Sequence, residues 1–248
     1  MLISVIIPFY KELSLIGRAV RSVFAQQLPD RHIAFELIIG NDGPIGNDEI
    51  LDAIDECHRA SVKIVKNNGP HGPGGARNAA LEQATGDLIA FLDADDYWMP
   101  EKITLQLERI DRGETFVATG YRFEDADVAI KPPSQIARRT DIFLRLGIGT
   151  STVLLTRALC QNALFRPLRF AQDIDYWYLL SASPLFRFGS VRSPCVVYSR
   201  SGSTRNKLIQ LRAFIRVLSL NRIPLRARLP IVLGYSMRGV INHYLRPH

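Results

Sequence analysis

The stretch Gly86-Asp-Leu-Ile-Ala-Phe-Leu-Asp-Ala-Asp-Asp-Tyr-Trp98 joins a short apolar run to a group of carboxylates. The run from Leu88 to Leu92 is bounded by polar residues, which predicts a strand buried on both faces. Asp93, Asp95 and Asp96 follow it directly. Open α/β sheets bind ligands beyond the carboxyl ends of their strands, and closely spaced carboxylates repel one another. We therefore expect a cation here, and a hard divalent ion with oxygen ligands suits these side chains best.

Strand and helix patterns alternate on both sides of this stretch, which predicts βαβ units. Apolar runs predict further strands at residues 2–7, 35–39, 62–65, 115–123, 152–155, 185–188 and 195–198. Apolar side chains at helical spacing predict helices at residues 13–27, 48–60, 75–84, 100–110 and 172–180. The expected fold class is α/β, with a mostly parallel, Rossmann-like central sheet flanked by helices and a basic helical C-terminal extension.

Three of the predicted strands end in polar or turn-forming residues. These ends are Pro8-Phe-Tyr10, Asn41-Asp-Gly43 and Asp93-Ala-Asp95. In a parallel sheet the carboxyl ends of such strands lie on the same edge. We therefore expect a single site that is assembled from three separate segments of the chain.

The net charge of +7 is divided unevenly along the 248 residues. Residues 1–130 carry 12 Lys and Arg against 21 Asp and Glu, whereas residues 131–248 carry 19 against three, and no acidic residue follows Asp175. The basic half is expected to be either a solvated surface or a contact with something anionic, phosphate or lipid. Aromatic residues are not interleaved with its Lys and Arg as an RNA-binding surface requires, so no nucleic-acid partner is expected.

Cysteine usage and the N-terminal residues bear on the compartment. Cys57, Cys160 and Cys195 show no paired spacing, which favours a reducing environment and gives no disulfide framework. Residues 1–7 have no basic segment before their apolar run, so we expect no signal peptide and a cytoplasmic location. No uninterrupted apolar run approaches the ~18 residues that a membrane span needs.

Several motifs, taken in order, resemble those of the family 2 inverting glycosyltransferases, nucleotide-sugar-dependent enzymes with a GT-A fold. They are Ser4-Val-Ile-Ile-Pro-Phe-Tyr10, Ile39-Gly-Asn-Asp-Gly43, Gly75-Ala-Arg-Asn78, Gly86–Asp96 and Gln172-Asp173. The resemblance covers the first 100 residues well and residues 101–200 loosely. It implies a metal-dependent, hexosyltransferase-type enzyme of polysaccharide or cell-envelope biosynthesis. Such an enzyme moves a sugar, with a UDP-sugar favoured as donor, to a hydroxyl of a glycan or lipid-linked acceptor.

Asp93-Ala94-Asp95 resembles the DXD motif of that family. The resemblance implies that Asp93, Ala94 and Asp95 bind the donor and that Asp95 and Asp93 are ligands of Mn²⁺ or Mg²⁺. Asp95 is the ligand that the resemblance supports more strongly. Alternation along an extended chain points both carboxylates the same way, so they can share one metal ion. The alternative is an acidic helix cap before Pro100.

Asp42 resembles the second acid of the family's Asp-Asp-Gly-Ser turn, which contacts the nucleotide base. A carboxylate can accept a hydrogen bond from the imide N–H of uracil, which favours a uridine nucleotide. The chain departs from the motif at Asn41 and Pro44, and a plain β-turn Asp is the alternative.

The other donor residues also follow from the resemblance. Pro8, Phe9 and Tyr10 are expected beside the base and Glu12 elsewhere at the donor, although Tyr10 can instead be a core aromatic. Arg77 would face the diphosphate, or form a structural salt bridge to Asp93 or Asp95. Arg200 would neutralise the departing diphosphate, or simply be solvated.

Asp173 is the predicted catalytic base. Inverting transfer needs one carboxylate to take the proton of the acceptor hydroxyl, and the family has Glu-Asp where this chain has Gln172-Asp173. Asp175 competes for the role, and a helix-capping function of Asp173 is a further alternative.

The domain prediction follows the charge division and the resemblance. Residues 1–204 would form the glycosyltransferase domain, with a nucleotide-sugar-binding part at 1–110 and an acceptor-binding part at 111–204. Residues 205–248 would form a basic amphipathic helical segment. That segment either contacts the inner face of the cell membrane peripherally or packs on the core.

Two proteins of other classes fit parts of the pattern. One is a metal-dependent phosphatase with an Asp-x-Asp nucleophile, whose motif should stand early in the fold and be followed soon by a hydroxyl residue. The other is a non-catalytic sugar-nucleotide-binding protein, which would bind the nucleotide and show no transfer.

Overall fold

A computed structural model describes residues 1–28, 32–126, 128–144, 147–199 and 207–244, except for the side chains of 207 and 236–244. The strands are β1 (Leu2–Phe9), β2 (Ala34–Asn41), β3 (Val62–Lys66), β4 (Leu88–Phe91), β5 (Tyr97–Trp98), β6 (Phe116–Phe123), β7 (Val153–Thr156) and β8 (Phe188–Tyr198). The first helices are α1 (Leu13–Phe24), α2 (Asn47–Asp52), α3 (Glu56–Arg59), α4 (Pro73–Leu81) and α5 (Lys102–Ile110). The remaining helices are α6 (Asp141–Leu144), α7 (Arg157–Cys160), α8 (Gln172–Leu180), α9 (Lys207–Leu220) and α10 (Leu225–Tyr244).

The strands form one sheet in the order β3-β2-β1-β4-β7-β6-β8-β5. β1 runs parallel to β2 and β4, and β2 runs parallel to β3. Their register pairs Phe9 with Asn41 and Ile6 with Phe91, so the three strand ends meet at one edge as expected. β7 is antiparallel to both β4 and β6, which makes the second half of the sheet mixed.

The sheet has an apolar layer on each face, because alternate residues of a strand point to opposite sides. Ile3, Val5 and Ile7 of β1 pack with α1, whereas Ile6 packs on the other side with Trp177 of α8. Of these residues, none is more than 1% exposed. The helices thus hold the sheet rigidly behind the edge at which β1, β2 and β4 end.

Two predicted elements differ from the observed ones. The single helix expected at 48–60 is two short helices, α2 and α3, separated near Asp55, whose backbone is extended. The strands expected at 185–188 and 195–198 are one strand, β8, whose register against β6 shifts beside Gly120. Pro194 lies in this irregular part of β8, and proline lacks the N–H that a regular ladder would require.

The C-terminal helices pack on the core through one face. Phe214 and Leu218 of α9 and Ile231 of α10 form a cluster with Phe143 of α6 and with Leu168. Of the two alternatives for this segment, packing on the core therefore applies to the face that these residues form. In the part of the chain that the structure describes, no helix combines the length and apolar content needed to cross a bilayer.

Candidate active site

A cleft of about 750 Å³ opens at the edge where β1, β2 and β4 end. The structure brings nine of the predicted donor residues to its wall: Pro8, Phe9, Tyr10, Glu12, Asp42, Arg77, Asp93, Ala94 and Asp95. Arg200 lies outside the described residues. His71, Arg169, Phe170, Gln172 and Tyr198 also line the cleft, although none of them is among the predicted donor-binding, metal or catalytic residues.

The carboxylates after β4 are held by a serine that the sequence did not single out. Ser151 Oγ accepts a hydrogen bond from the Asp93 N–H at 3.0 Å and donates one to Asp96 Oδ2 at 2.6 Å. Asp96 Oδ1 accepts from the Ser199 N–H at 3.1 Å. Burial raises the pKa of Asp96 well above its usual range, and the negative charges of Asp93 and Asp95 raise it further. The arrangement therefore favours a positive charge beside these side chains.

Arg77 supplies one such charge from the first turns of α4. Its side chain is buried, and its Nη2 donates to Asp93 Oδ1 at 2.5 Å. Its Nε and Nη1 are also buried, and they find no hydrogen-bond partner among the described residues. A guanidinium with unused donors in a cleft suits a bidentate anion such as a phosphate. The salt-bridge and ligand-binding alternatives for Arg77 are thus compatible.

The turn after β2 explains the departure from the family motif at Asn41. The Asn41 side chain is buried, and its Nδ2 donates to Ile45 O and to Asn47 Oδ1, both at 2.9 Å. Its Oδ1 accepts from the Gly43 N–H at 3.0 Å. A carboxylate could not make the first two bonds, because it has no proton to donate when ionised. Asn41 therefore holds the turn together and lies behind the cleft.

Asp42 is fixed by the loop that precedes α4. Its carboxylate accepts from Asn67 Nδ2 and from the Gly72 N–H, both at 2.7 Å, and lies 3.0 Å from His71 Nδ1. A carboxylate has about four lone-pair sites, so these contacts leave one for a ligand donor. Asp42 is thus more than a turn residue, because its hydrogen bonds join the turn after β2 to the loop before α4.

Tyr10 and Glu12 form the lip of the cleft after β1. Glu12 Oε2 accepts from the N–H groups of Tyr10 and Lys11, each at 2.8 Å, and so fixes the backbone of this turn. The Tyr10 side chain is 49% exposed, which rules out the core-aromatic alternative. Its ring is available to a planar ligand.

The start of α8 lies beside the first turn of α4, where a Cβ atom at Gly74 would be 3.8 Å from Gln172 Cγ. Gln172 lines the cleft, and Asp173 does not, although Asp173 lies close enough to Arg77 and Asp93 to feel both charges. Burial raises the pKa of Asp173, and a hydrogen bond from the Ile174 N–H opposes that rise. A carboxyl whose pKa is raised from below 4 toward neutrality is a better general base.

Asp175, the competing acid, is turned away from the cleft. It is fully buried, and its Oδ1 accepts from Asn221 Nδ2 at 2.6 Å and from Arg166 Nη1 at 3.2 Å. Asn221 follows α9, so this carboxylate ties α8 to the C-terminal helices. Of the two acids left open by the sequence, Asp173 is the one on which the charges of the cleft residues Arg77 and Asp93 act.

The acidic end of the cleft fits a hard divalent ion. Among the described residues no three His, Cys, Asp or Glu side chains form a complete metal site. Asp93 and Asp95 nonetheless offer carboxylate oxygens, the donors that Mn²⁺ and Mg²⁺ prefer. Burial raises the pKa of Asp96, and the charges of Asp93 and Asp95 add to that rise. A diphosphate and water would supply the remaining ligands.

Comparison with known sequences identifies a family. The profile of Glycosyl transferase family 2 matches residues 4–169. The chain is 28% identical over 247 residues to UDP-Glc:alpha-D-GlcNAc-diphosphoundecaprenol beta-1,3-glucosyltransferase WfaP of Escherichia coli, across 98% of this chain and 95% of that protein. It is 33% identical over 198 residues to the putative teichuronic acid biosynthesis glycosyltransferase TuaG of Bacillus subtilis, across 76% of this chain and 75% of that protein.

Solved structures show the same fold. S. aureus TarS 1-349 in complex with UDP-GlcNAc has a TM-score of 0.65 at 21% identity, covering 89% of this chain and 65% of that one. Mannosyltransferase PcManGT from Pyrobaculum calidifontis, in complex with GDP-Man and Mn²⁺, has a TM-score of 0.63 at 18% identity, covering 94% of this chain and 68% of that one. Since the family profile spans more than half of the chain, from β1 through β4 and the cleft, this protein belongs to glycosyl transferase family 2 and is a glycosyltransferase with a GT-A fold.

Proposed function

We propose that this glycosyltransferase moves a sugar from a UDP-sugar to a hydroxyl of a lipid-linked acceptor, with inversion at the anomeric carbon and with the help of a divalent metal ion. The observation that carries the proposal is the cleft, where unused Arg77 donors, the Asp93 and Asp95 carboxylates and Asp42 converge. The names of the relatives, which specify a UDP-Glc donor and a diphosphoundecaprenol acceptor, support the choice of substrates.

The donor would bind across the three strand ends. The uracil would lie between Pro8–Tyr10 and Asp42, whose remaining lone-pair site accepts the imide N–H. Arg77 Nε and Nη1 would donate to the diphosphate. Asp93 and Asp95 would hold Mn²⁺ or Mg²⁺, which when bound neutralises charge on the diphosphate leaving group. Residues 1–110 would thus bind the donor, and residues 111–204 the acceptor.

Asp173 would act on the acceptor side. It takes the proton of the acceptor hydroxyl while that oxygen forms a bond to the anomeric carbon and the bond from that carbon to the diphosphate oxygen breaks. Attack from the face opposite the leaving group inverts the anomeric centre. The raised pKa of Asp173 suits this proton transfer, and the influence of the Arg77 and Asp93 charges on it supports the assignment.

The test of this assignment is Asp173→Asn, which keeps the shape of the side chain and removes the base. With UDP-glucose and Mn²⁺ we expect transfer to fall by roughly 100-fold or more. Donor affinity, measured by calorimetry, should be retained. Asp48→Asn, which changes an exposed carboxylate of α2, is the matched control. Transfer at the wild-type rate in the Asp173 variant would refute the assignment.

The choice of donor has its own test. A ligand that binds only the folded protein raises its apparent stability. We expect UDP-sugars to raise the unfolding temperature more than GDP- or dTDP-sugars do, and we expect the effect to weaken when Mn²⁺ is replaced by EDTA. Equal shifts with and without the metal would contradict the metal dependence.

A lipid-linked acceptor implies work at a membrane surface, and we extend the proposal to peripheral attachment at the cytoplasmic face. Leu225, Leu229 and Leu233, at 54–78% exposure, lie four residues apart on α10 and so share one face. Exposed arginines on and near the same helices, Arg212, Arg216, Arg222 and Arg226, carry charge complementary to anionic lipid. Apolar side chains beside arginines are typical of an interfacial helix.

Flotation of the full chain with vesicles tests the attachment. We expect binding to phosphatidylglycerol-containing vesicles, weaker binding to pure phosphatidylcholine vesicles, and partial release by high salt. The triple change Leu225→Ser, Leu229→Ser and Leu233→Ser should remove most of the binding. The double change Val128→Ser and Leu185→Ser, at exposed apolar residues elsewhere, should not. Flotation of the triple variant to the wild-type extent would rule out this surface.

A further inference from the structure

Gln172 lines the cleft, and its amide finds no hydrogen-bond partner among the described residues. It is the first residue of α8 and is 9% exposed, and it lies beside the first turn of α4, because a Cβ atom at Gly74 would be 3.8 Å from Gln172 Cγ. Its Oε1 is among the buried atoms that no described residue bonds to. Neither atom of the amide bonds to another group in the part of the chain that the structure describes. Buried amides in folded proteins are normally paired, so this amide is a candidate for bonding to a ligand.

The backbone before Gln172 is held in an uncommon conformation. Ala171 has φ 56° and ψ 24°, a left-handed geometry that costs energy for any residue with a Cβ atom. This geometry lets the chain turn from the 161–170 loop into α8, with Gln172 as the first helical residue. Strained residues of this kind cluster at ligand sites because the surrounding structure holds them there.

The position beside Asp173 indicates which ligand the amide would meet. Asp173, the next residue, is the proposed base and therefore lies beside the acceptor hydroxyl that it deprotonates. A sugar presents further hydroxyls on the carbons next to the one that reacts. An amide oxygen accepts a hydrogen bond from such a hydroxyl, and the amide NH₂ can donate one.

We propose that Gln172 is a specificity-determining residue that hydrogen-bonds a non-reacting hydroxyl of the acceptor sugar; this inference rests on the proposed function. The amide selects an acceptor that carries a hydroxyl at that place, because an acceptor without it would leave the buried amide unpaired. The neutral amide also adds no negative charge beside Asp173, which already feels Asp93. A glutamate at this position would add one.

The experiment removes the Gln172 amide and one acceptor hydroxyl, separately and together, and compares kcat/KM for transfer. It uses the 248-residue protein with UDP-glucose and Mn²⁺. The acceptor probe is α-GlcNAc diphosphate on a short alkyl chain, together with analogues that each lack one non-reacting hydroxyl. With wild type, one analogue should lower kcat/KM about tenfold. Gln172→Ala should lower kcat/KM about tenfold with the parent acceptor, mainly through KM for the acceptor, and show little further loss with that analogue.

Two comparisons separate this role from a structural one. Gln161→Ala, at an exposed glutamine that does not line the cleft, should keep the wild-type preference among the analogues. Gln172→Glu should move the pH dependence of transfer to higher pH, because a second carboxylate raises the pKa of Asp173. A structural defect alone would lower transfer equally with every acceptor.

The outcomes distinguish this inference from the proposed function. Wild type that makes no product with any of these acceptors would overturn the proposed acceptor class, and this inference with it. If wild type is active, the fold-losses in kcat/KM from Gln172→Ala and from a missing hydroxyl can be compared. Losses that multiply for every hydroxyl would overturn this inference and leave the proposed function standing. A coupling of Gln172 to hydroxyls of the UDP-sugar, measured with deoxyglucose donors, would also overturn it.

Discussion

Asn41 shows how a departure from a family motif can be explained by hydrogen bonding. Its amide donates to Ile45 O and Asn47 Oδ1 and accepts from the Gly43 N–H. Those three bonds shape the turn that presents Asp42 to the cleft. The residue that resembled a lost acid in the sequence is thus part of the support for the acid that remains.

We expect Asn41→Asp to destabilise the protein by about 1–3 kcal/mol, because a buried carboxylate would face the Ile45 carbonyl without a proton to donate. Urea unfolding measures the change. Asn68→Asp, at an exposed asparagine, is the control and should change stability by less than about 0.5 kcal/mol. Equal stabilities of the two variants would show that the amide bonds do not hold the turn.

Lys102 is a second residue whose environment can be tested. It is fully buried, its Nζ donates to Gln106 Oε1 at 2.7 Å, and it lies 3.9 Å from the centre of the Trp98 ring. Burial lowers the pKa of this amine from 10.5 to about 7. The unfolded chain therefore binds more protons than the folded protein between about pH 7 and pH 10, and stability attributable to Lys102 rises with pH across that range.

The variant Lys102→Met removes this titration. We expect the stability of wild type relative to the variant to rise by roughly 3–4 kcal/mol between pH 7 and pH 10, since one pKa unit corresponds to about 1.4 kcal/mol. Urea unfolding of both proteins at several pH values measures the difference, in which other titrating groups largely cancel. A difference that does not change with pH would contradict the lowered pKa.

At the scale of the elements, the approach of α4 to β2 positions Arg77. Gly40 makes this approach possible, because a Cβ atom there would lie 2.0 Å from Ala76 O, one residue before Arg77. The backbone of α4 cannot keep its place beside a larger residue. The position of the motif Gly75-Ala-Arg-Asn78 on α4 therefore depends on a glycine of the strand β2.

We expect Gly40→Ala to destabilise the fold by about 1–3 kcal/mol or more and to weaken UDP binding, because α4 must move and carry Arg77 with it. Gly46→Ala is the control, since a Cβ atom there meets only the flexible Glu49 side chain, at 3.5 Å. Unfolding and calorimetry measure the two effects. Wild-type affinity for UDP in Gly40→Ala would show that α4 does not position the binding residues.

The elements also show what could be predicted from the sequence. β1, β2 and β4 and the edge they share follow from local patterns, because apolar runs and turn residues are contiguous in the chain. The antiparallel direction of β7 and the single irregular strand β8 depend on pairing between distant segments, which no local period encodes. Ser151 escaped notice for the same reason, since its contacts with Asp93 and Asp96 join residues more than 50 positions apart.

At the scale of the whole molecule, Asp175 and Asn221 connect the catalytic part to the C-terminal helices. Their hydrogen bond of 2.6 Å joins α8 to the turn after α9. Tyr235 of α10 packs on Phe214 and lies near enough to Asp173 for that carboxylate to raise its pKa, although burial is the larger cause. The segment at 207–244 therefore supports the wall of the cleft that bears the proposed base.

We expect Asn221→Leu to destabilise the whole chain by roughly 2–4 kcal/mol, because it leaves the buried Asp175 carboxylate with fewer partners. The double variant Asp175→Leu and Asn221→Leu should recover part of that loss, since no buried charge remains. Thermal and urea unfolding measure both proteins. A double variant that is no more stable than Asn221→Leu would show that the loss does not come from the unpaired Asp175 carboxylate.

The bond between Asp175 and Asn221 also bears on how this protein can be recombined with its relatives. Helices α6 and α8 pack with residues 214–235 of the C-terminal helices as one unit, although the strand β8 lies between them in sequence. A chimera that exchanged only α9 and α10 and the turn between them would pack helices of another protein against α6 and α8. It would also lose Asn221, the hydrogen-bond partner of the Asp175 carboxylate. The exchangeable unit is therefore discontinuous in sequence, and a functional exchange of the C-terminal helices must include α6 and α8.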